Sequence, residues 1–201
     1  MENVEIDVRA AIWKKFHIKR GDTVPFVGWW DSTRQTLDEL ISEVGFNYGA
    51  EVGVCKGQHS RTLLRLNKDL RLILVDPWTS YNRLSQEKAD ARLKLCEGKL
   101  KNYEDRVTYM KMTSMDAVTK IEDESLDFVY IDGLHEFDPV MMDIICWSAK
   151  VRPGGIVSGH DYYSFYQAGI IDAVNSYTKA HNINEWYVTR DKEASWFWIK
   201  K

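Results

Sequence analysis

Apolar residues in this chain fall into two alternating patterns. Short, nearly continuous apolar runs occupy residues 48–54, 70–75, 107–112, 126–131 and 156–158. Such runs are the signature of strands buried on both faces. Between them lie amphipathic stretches. The clearest is 86–101, where Leu93, Cys96 and Leu100 fall on one helical stripe. Helices are also predicted through 60–66, 114–119, 138–151 and 169–181. The third of these opens on Asp138 as N-cap with Pro139 at the first helical position. Arg152-Pro153-Gly154-Gly155 reads as a turn. Upstream, Asp31-Ser32 reads as the N-cap of a helix through Val44, with Gly45 as its stop. Two late strands are expected near 186–189 and 196–199.

Strand and helix alternate from residue 48 onward, which calls for a parallel sheet covered on both faces. The last two strands have only a short connection, and tight connections join antiparallel neighbours. The expected fold is therefore α/β: a doubly wound, mostly parallel, seven-stranded sheet with the last strand antiparallel. A single domain over 1–201 accommodates it. Residues 1–30 are harder to read. Residues 6–18 suit a helix, and Pro25 and Gly28 break any regular element there. This extension is expected to contribute to an acceptor site or an interface, with Trp29-Trp30 more in keeping with packing than with a lid.

Composition narrows the function. The formal charge of −3 gives no broad basic surface for nucleic acid. There is no apolar run of membrane-spanning length and no signal-peptide pattern. Three scattered cysteines, Cys55, Cys96 and Cys146, suit reduced thiols in a cytoplasmic protein. Homo-oligomerisation is left open.

In open α/β sheets ligands bind beyond the carboxyl ends of the strands. The candidate residues are therefore those at the end of each apolar run. The first is Gly49-Ala50-Glu51-Val52-Gly53-Val54-Cys55-Lys56-Gly57, and the second run ends at Asp76. Glycines let backbone approach a ligand closely, and an acid at the second strand tip suits a ribose diol. Glu51 inside the first run would repel a pyrophosphate and attract an amine. This disfavours a nicotinamide dinucleotide and favours a cofactor with a cationic amino-acid tail, such as S-adenosylmethionine.

The Glu-x-Gly-x-x-x-Gly run with Asp76 resembles the first two motifs of class I S-adenosylmethionine-dependent methyltransferases. A second block, Ile131-Asp132-Gly133-Leu134-His135 and then Pro153-Gly154-Gly155 and Gly159-His160-Asp161-Tyr162, resembles the macrocin-type small-molecule O-methyltransferases. The resemblance runs from about Ser32 to the C-terminus. It implies that Glu51, Gly53, Gly57, Asp76, Ser114, Met115, Asp116 and Asp132 bind the cofactor. Asp132, His135 and His160 would serve catalysis on a sugar-like or natural-product hydroxyl. Asp132, His160 and Asp161 would hold a divalent cation such as magnesium or manganese. The chain departs from that pattern at His160, where the family carries an acid. A mixed nitrogen and oxygen set suits manganese or iron better than magnesium. Equally, a histidine could act as base without metal.

Bland readings compete at several positions. Asp116 would also suit the first turn of a helix as a dipole partner, and His135 a helix cap. His59 carries no expected role. The aromatic run 162–166 suits a flat or sugar-like acceptor or a dimer contact. A nicotinamide-dependent oxidoreductase, a nucleic-acid methyltransferase, a hydroxylase relative and a non-catalytic binding protein complete the alternatives.

Overall fold

The apolar runs form strands where predicted, and their C-terminal ends converge on one edge of the molecule. A computed structural model describes residues 6–29, 31–82, 84–165 and 168–201. Trp30 and Tyr166, named among the aromatic candidates, lie outside the described residues. In chain order the elements are α1 (Val8–Lys15), β1 (Phe26–Val27), α2 (Arg34–Glu43), β2 (Tyr48–Val52), α3 (Gln58–Leu66) and β3 (Arg71–Val75). Next come α4 (Gln86–Leu100), β4 (Val107–Met110), α5 (Ser114–Val118), β5 (Leu126–Ile131) and α6 (Phe137–Ser148). The chain continues through β6 (Val151–Gly159), α7 (Ile170–Ala180), β7 (Tyr187–Val188) and β8 (Trp196–Ile199).

One sheet runs in the order β1-β7-β8-β6-β5-β2-β3-β4. All pairings are parallel except those of β8, which runs against both β6 and β7. The expected antiparallel last strand is thus present, but the sheet has eight strands rather than seven. The additional strand is β1, whose two residues pair with Tyr187 and Val188. A two-residue strand is too short to leave a periodic trace in the sequence.

Helices cover both faces. Side chains of α1 to α4 pack with Leu72, Leu74, Phe128 and Tyr130 in one core. Those of α5 to α7 pack with Ala50, Val52, Val129 and Ile131 in the other. On α2 the buried residues Leu37, Leu40 and Ile41 recur at helical spacing, and burying each contributes about 1.5–3 kcal/mol.

Local structure departs from expectation at three places. The α2 N-cap is Thr33, not Asp31 or Ser32, and the Thr33 amide donates to Thr36 Oγ1 at 3.0 Å. The α6 N-cap is Glu136, with Asp138 and Pro139 inside the first turn. Proline is tolerated there because the first helical amides have no intrahelical acceptor. The 152–155 stretch is not a turn but the start of β6. Gly154 N donates to Lys200 O and Lys200 N to Gly155 O, each at 2.8 Å, extending the ladder beyond β8. A Cβ on Gly155 would stand 2.4 Å from Asp127 O, so glycine is what lets these backbones meet.

Candidate functional site

β2 and β5 are neighbours from which the strand order departs in opposite directions. A crevice opens at such a switch point. The loop after β2 crosses it. Gly53 has φ +92°, and a Cβ there would lie 1.9 Å from Asp132 O. Only glycine lets this loop rest on the backbone after β5. Gly57, at φ +67°, starts α3, and its Cβ would stand 2.7 Å from Cys96 Sγ on α4.

Asp76, just past β3, ties the loop down. Its Oδ2 accepts from Cys55 N at 2.8 Å and its Oδ1 from Trp78 N at 2.8 Å. The indole of Trp78 donates to Cys55 O at 2.8 Å. Burial raises the Asp76 carboxyl above its usual range against the pull of these two amides. Each oxygen has a lone pair to spare, and the residue is only half-buried.

Glu51 lies deeper. It is 1% exposed and its carboxylate turns toward α3. Its Oε2 accepts from Ser60 Oγ, and its Oε1 lies 3.4 Å from His59 Nδ1. The other nitrogen of His59 contacts Asp38 Oδ1 of α2 at 2.9 Å, and the imidazole packs on the Tyr130 ring at 4.2 Å between centroids. Burial alone would lower the His59 pKa, but Asp38 and Glu51 outweigh it and raise it to about 10. His59 is therefore set between two carboxylates, hydrogen-bonded to Asp38 and facing Glu51 at 3.4 Å, and joins α2, β2 and α3 beneath the loop. Sequence inspection missed it because one histidine on an amphipathic helix carries no signal of its partners.

The adenine-region candidates sit at the start of α5. Ser114 Oγ donates to Asp143 Oδ1 of α6 and accepts from Trp147 Nε1 at 2.7 Å. Burial raises the Asp143 pKa to about 6, opposed by the Ser114 bond. Met115 is half-buried and Asp116 exposed. Asp116 takes a bond from the N-cap Thr113 Oγ1 at 2.7 Å, the local arrangement weighed against a ligand role.

The four residues after β5 and β6 come together. Asp161 Oδ2 lies 3.1 Å from His135 Nε2, and its Oδ1 lies 3.1 Å from His160 Nδ1. His160 Nδ1 is also 3.8 Å from Asp132 Oδ1. Asp161 has φ +61°, an uncommon left-handed conformation for a residue with a side chain. Burial would raise its carboxyl, yet the bonds from His135 and His160 hold it well below the usual carboxylate range. Burial instead raises the Asp132 carboxyl. The bond with Asp161 raises the His135 pKa. His160 is buried, whereas the His135 side chain is 44% exposed to the cleft. Asp132, His135 and Asp161 each offer a ligand atom, all within 4.8 Å of one another. His160, Asp161 and exposed Glu193 form a second such group. Sequence inspection did not single out Arg34, whose Nη1 stands 3.6 Å from Asp132 Oδ2.

A mostly parallel sheet with a glycine loop crossing its switch point beside Asp76 and Asp132 is the arrangement of the Rossmann-like α/β class. Residues 50–162 match the family model described as "Methyltransferase domain", and the chain belongs to that family. No curated protein sequence matches it. Solved structures resemble it over its whole length. An O-methyltransferase from Bacillus cereus in complex with S-adenosylhomocysteine superposes with a TM-score of 0.64 at 14% identity, covering 100% of this chain and 94% of that one. The O-methyltransferase TomG from Streptomyces achromogenes, involved in tomaymycin synthesis and bound to S-adenosylmethionine, gives 0.61 at 12% identity, covering 97% and 90%. At such identities the likeness establishes the fold. No helix among the described residues is long and apolar enough to cross a membrane.

Proposed function

We propose that this protein is an S-adenosylmethionine-dependent methyltransferase that methylates a hydroxyl of a small molecule. The carrying observation is the loop over the switch point, pinned by Asp76 on one side and seated on the Asp132 backbone on the other. The residues fit the cofactor: Asp76 retains acceptor capacity for a ribose diol, Asp132 is half-exposed for an amine, and Met115 offers a soft face to an adenine ring. Gly53 and Gly57 shape the loop, Ser114 and Asp116 set the start of α5, and Glu51 supports the loop from beneath. The cofactor supplies a methyl group on a sulfonium. His135 takes the proton from the acceptor hydroxyl, and Asp161 orients its ring through Nε2. Buried His160 holds the other oxygen of Asp161. Calorimetry with S-adenosylhomocysteine is the test. Wild type binds, and Asp76→Ala binds about tenfold or more weakly; no binding by wild type at high micromolar protein overturns the reading.

A second reading is favoured by the convergence of Asp132, His135 and Asp161 within 4.8 Å. There a divalent cation, manganese or magnesium, would lower the pKa of the acceptor hydroxyl, with His160 supporting Asp161 from behind. Turnover abolished by a chelator and restored by manganese selects the cation. Turnover indifferent to chelation selects His135 as base.

A further inference from the structure

The outer face of α6 is apolar where a helix surface is ordinarily polar. Leu134, just before α6, and Phe137, Met142 and Ile145 on it are 40–47% exposed. Phe137, half-buried Met141 and Ile145 recur every four residues, so they stand one above another over two turns, about 12 Å. Among the described residues of α6, Asp138 is the one exposed charge. The neighbouring helices differ. α7, packed against α6, shows Asp172, Asn175, Ser176 and Lys179 to solvent, and the α5 side shows Asp116, Thr119 and Lys120. Single exposed apolar residues need no explanation, but a continuous strip between polar banks marks a binding surface.

The strip begins at His135. Leu134 and Phe137 flank that histidine in the chain, and its side chain is 44% exposed. Phe165 meets the imidazole edge-on at 5.4 Å, and Tyr163 stacks on Phe165 at 4.7 Å. Gly169 draws the segment together: its amide donates to His135 O at 2.8 Å, and a Cβ there would stand 2.4 Å from Phe137 N. Glu136 and Asp138 are exposed at the head of the strip, so an anion arriving there would be repelled.

We infer that the acceptor is a neutral amphiphile, with its hydroxyl at His135 and its apolar body along Leu134, Phe137, Met141 and Ile145. The inference rests on the proposed methyl transfer and deepens it by naming the substrate class. A sugar would leave the strip in water, whereas an alkyl or polycyclic body removes its area from solvent. The two acids disfavour a phosphorylated carrier or an anionic lipid. Continuity with His135 favours a substrate over a second copy of the chain, which would also cover the residues that flank the histidine.

The test compares 4-ethylphenol with 4-octylphenol by calorimetry, in the presence of S-adenosylhomocysteine. Wild type should bind the longer probe about tenfold or more tightly. Ile145→Glu, on the solvent side of α6, should cut that gain to about twofold, and Lys179→Glu on the polar bank of α7 should keep it. Equal affinity for the two phenols overturns the inference and leaves the donor reading standing. So does a gain that Ile145→Glu leaves intact or that Lys179→Glu removes as fully. A wild-type dimer that Ile145→Glu splits in sedimentation overturns it in favour of a second copy on the strip. Wild type that does not bind S-adenosylhomocysteine overturns the donor reading and the inference together.

Discussion

The two halves of the crevice treat their acids differently. Under the glycine loop, Glu51 is 1% exposed and matched by Ser60 and by a histidine that Asp38 braces from behind. Beyond β5 and β6, His135 is open to the cleft and Asp132 forms a partly exposed ion pair with Arg34 at 3.6 Å. Buried charge survives only with dedicated partners, so the first group serves architecture. Charges left half-solvated can still exchange a proton or accept a ligand, which is what the proposed chemistry requires of the second. The two groups of acids differ in burial and in what faces them.

The contrast can be broken most directly at His59. Replacing His59 with Leu leaves Asp38 and Glu51 buried without their cation, and urea denaturation should show a loss of about 3–5 kcal/mol. The pH dependence has a definite sign. The folded-state pKa of about 10 lies above the ordinary 6.5. The stabilisation is therefore complete below pH 6.5 and fades as pH rises through 10. His59→Leu should lack that decline. A variant as stable as wild type would mean that the network is not structural.

Next in size, His135→Gln should reduce turnover by about a hundredfold or more while moving stability by less than about 0.5 kcal/mol. Unfolding by more than that would place His135 with the architectural group.

Asp143 sharpens the boundary between the halves. Its pKa is raised from 3.8 to about 6, so the folded state holds the proton more tightly and wild type loses stability as pH rises from about 4 to 6. Asp143→Asn removes that penalty and keeps an acceptor for Ser114. Thermal melts should show it gaining about 2 kcal/mol on wild type between pH 4 and pH 7. The smallest effect is at Asp116. If it only completes the first turn of α5, Asp116→Ala costs about 0.5 kcal/mol and leaves cofactor affinity unchanged. A clear loss of affinity in calorimetry would assign it to the adenine.

Much of the fold was legible because parallel strands buried on both sides must be apolar throughout. β5 matches its predicted run from Leu126 to Ile131 residue for residue. The segments that escaped are those whose structure is decided by a distant partner. Pro153-Gly154-Gly155 has turn chemistry, yet Lys200, just past the last strand, draws it into the sheet. β1 exists because β7 offers an edge. The site divides likewise. Asp76, Asp132, His135, His160 and Asp161 were visible because they lie at the ends of apolar runs. His59 and Arg34 were not, because a lone polar residue on a helix gains meaning only from what the tertiary fold sets against it.

The edge pairing of β1 with β7 has a consequence for the order of assembly. Phe26 and Val27 can find Tyr187 and Val188 only after nearly all of these residues have been made. β1 therefore cannot be set by local contacts, and such long-range closure is slow. During synthesis the central strands and the Asp76-pinned loop can form first, before β1 is paired. Weakening β1 pairing should thus yield molecules with the central sheet formed and β1 unpaired, visible as refolding in two kinetic phases.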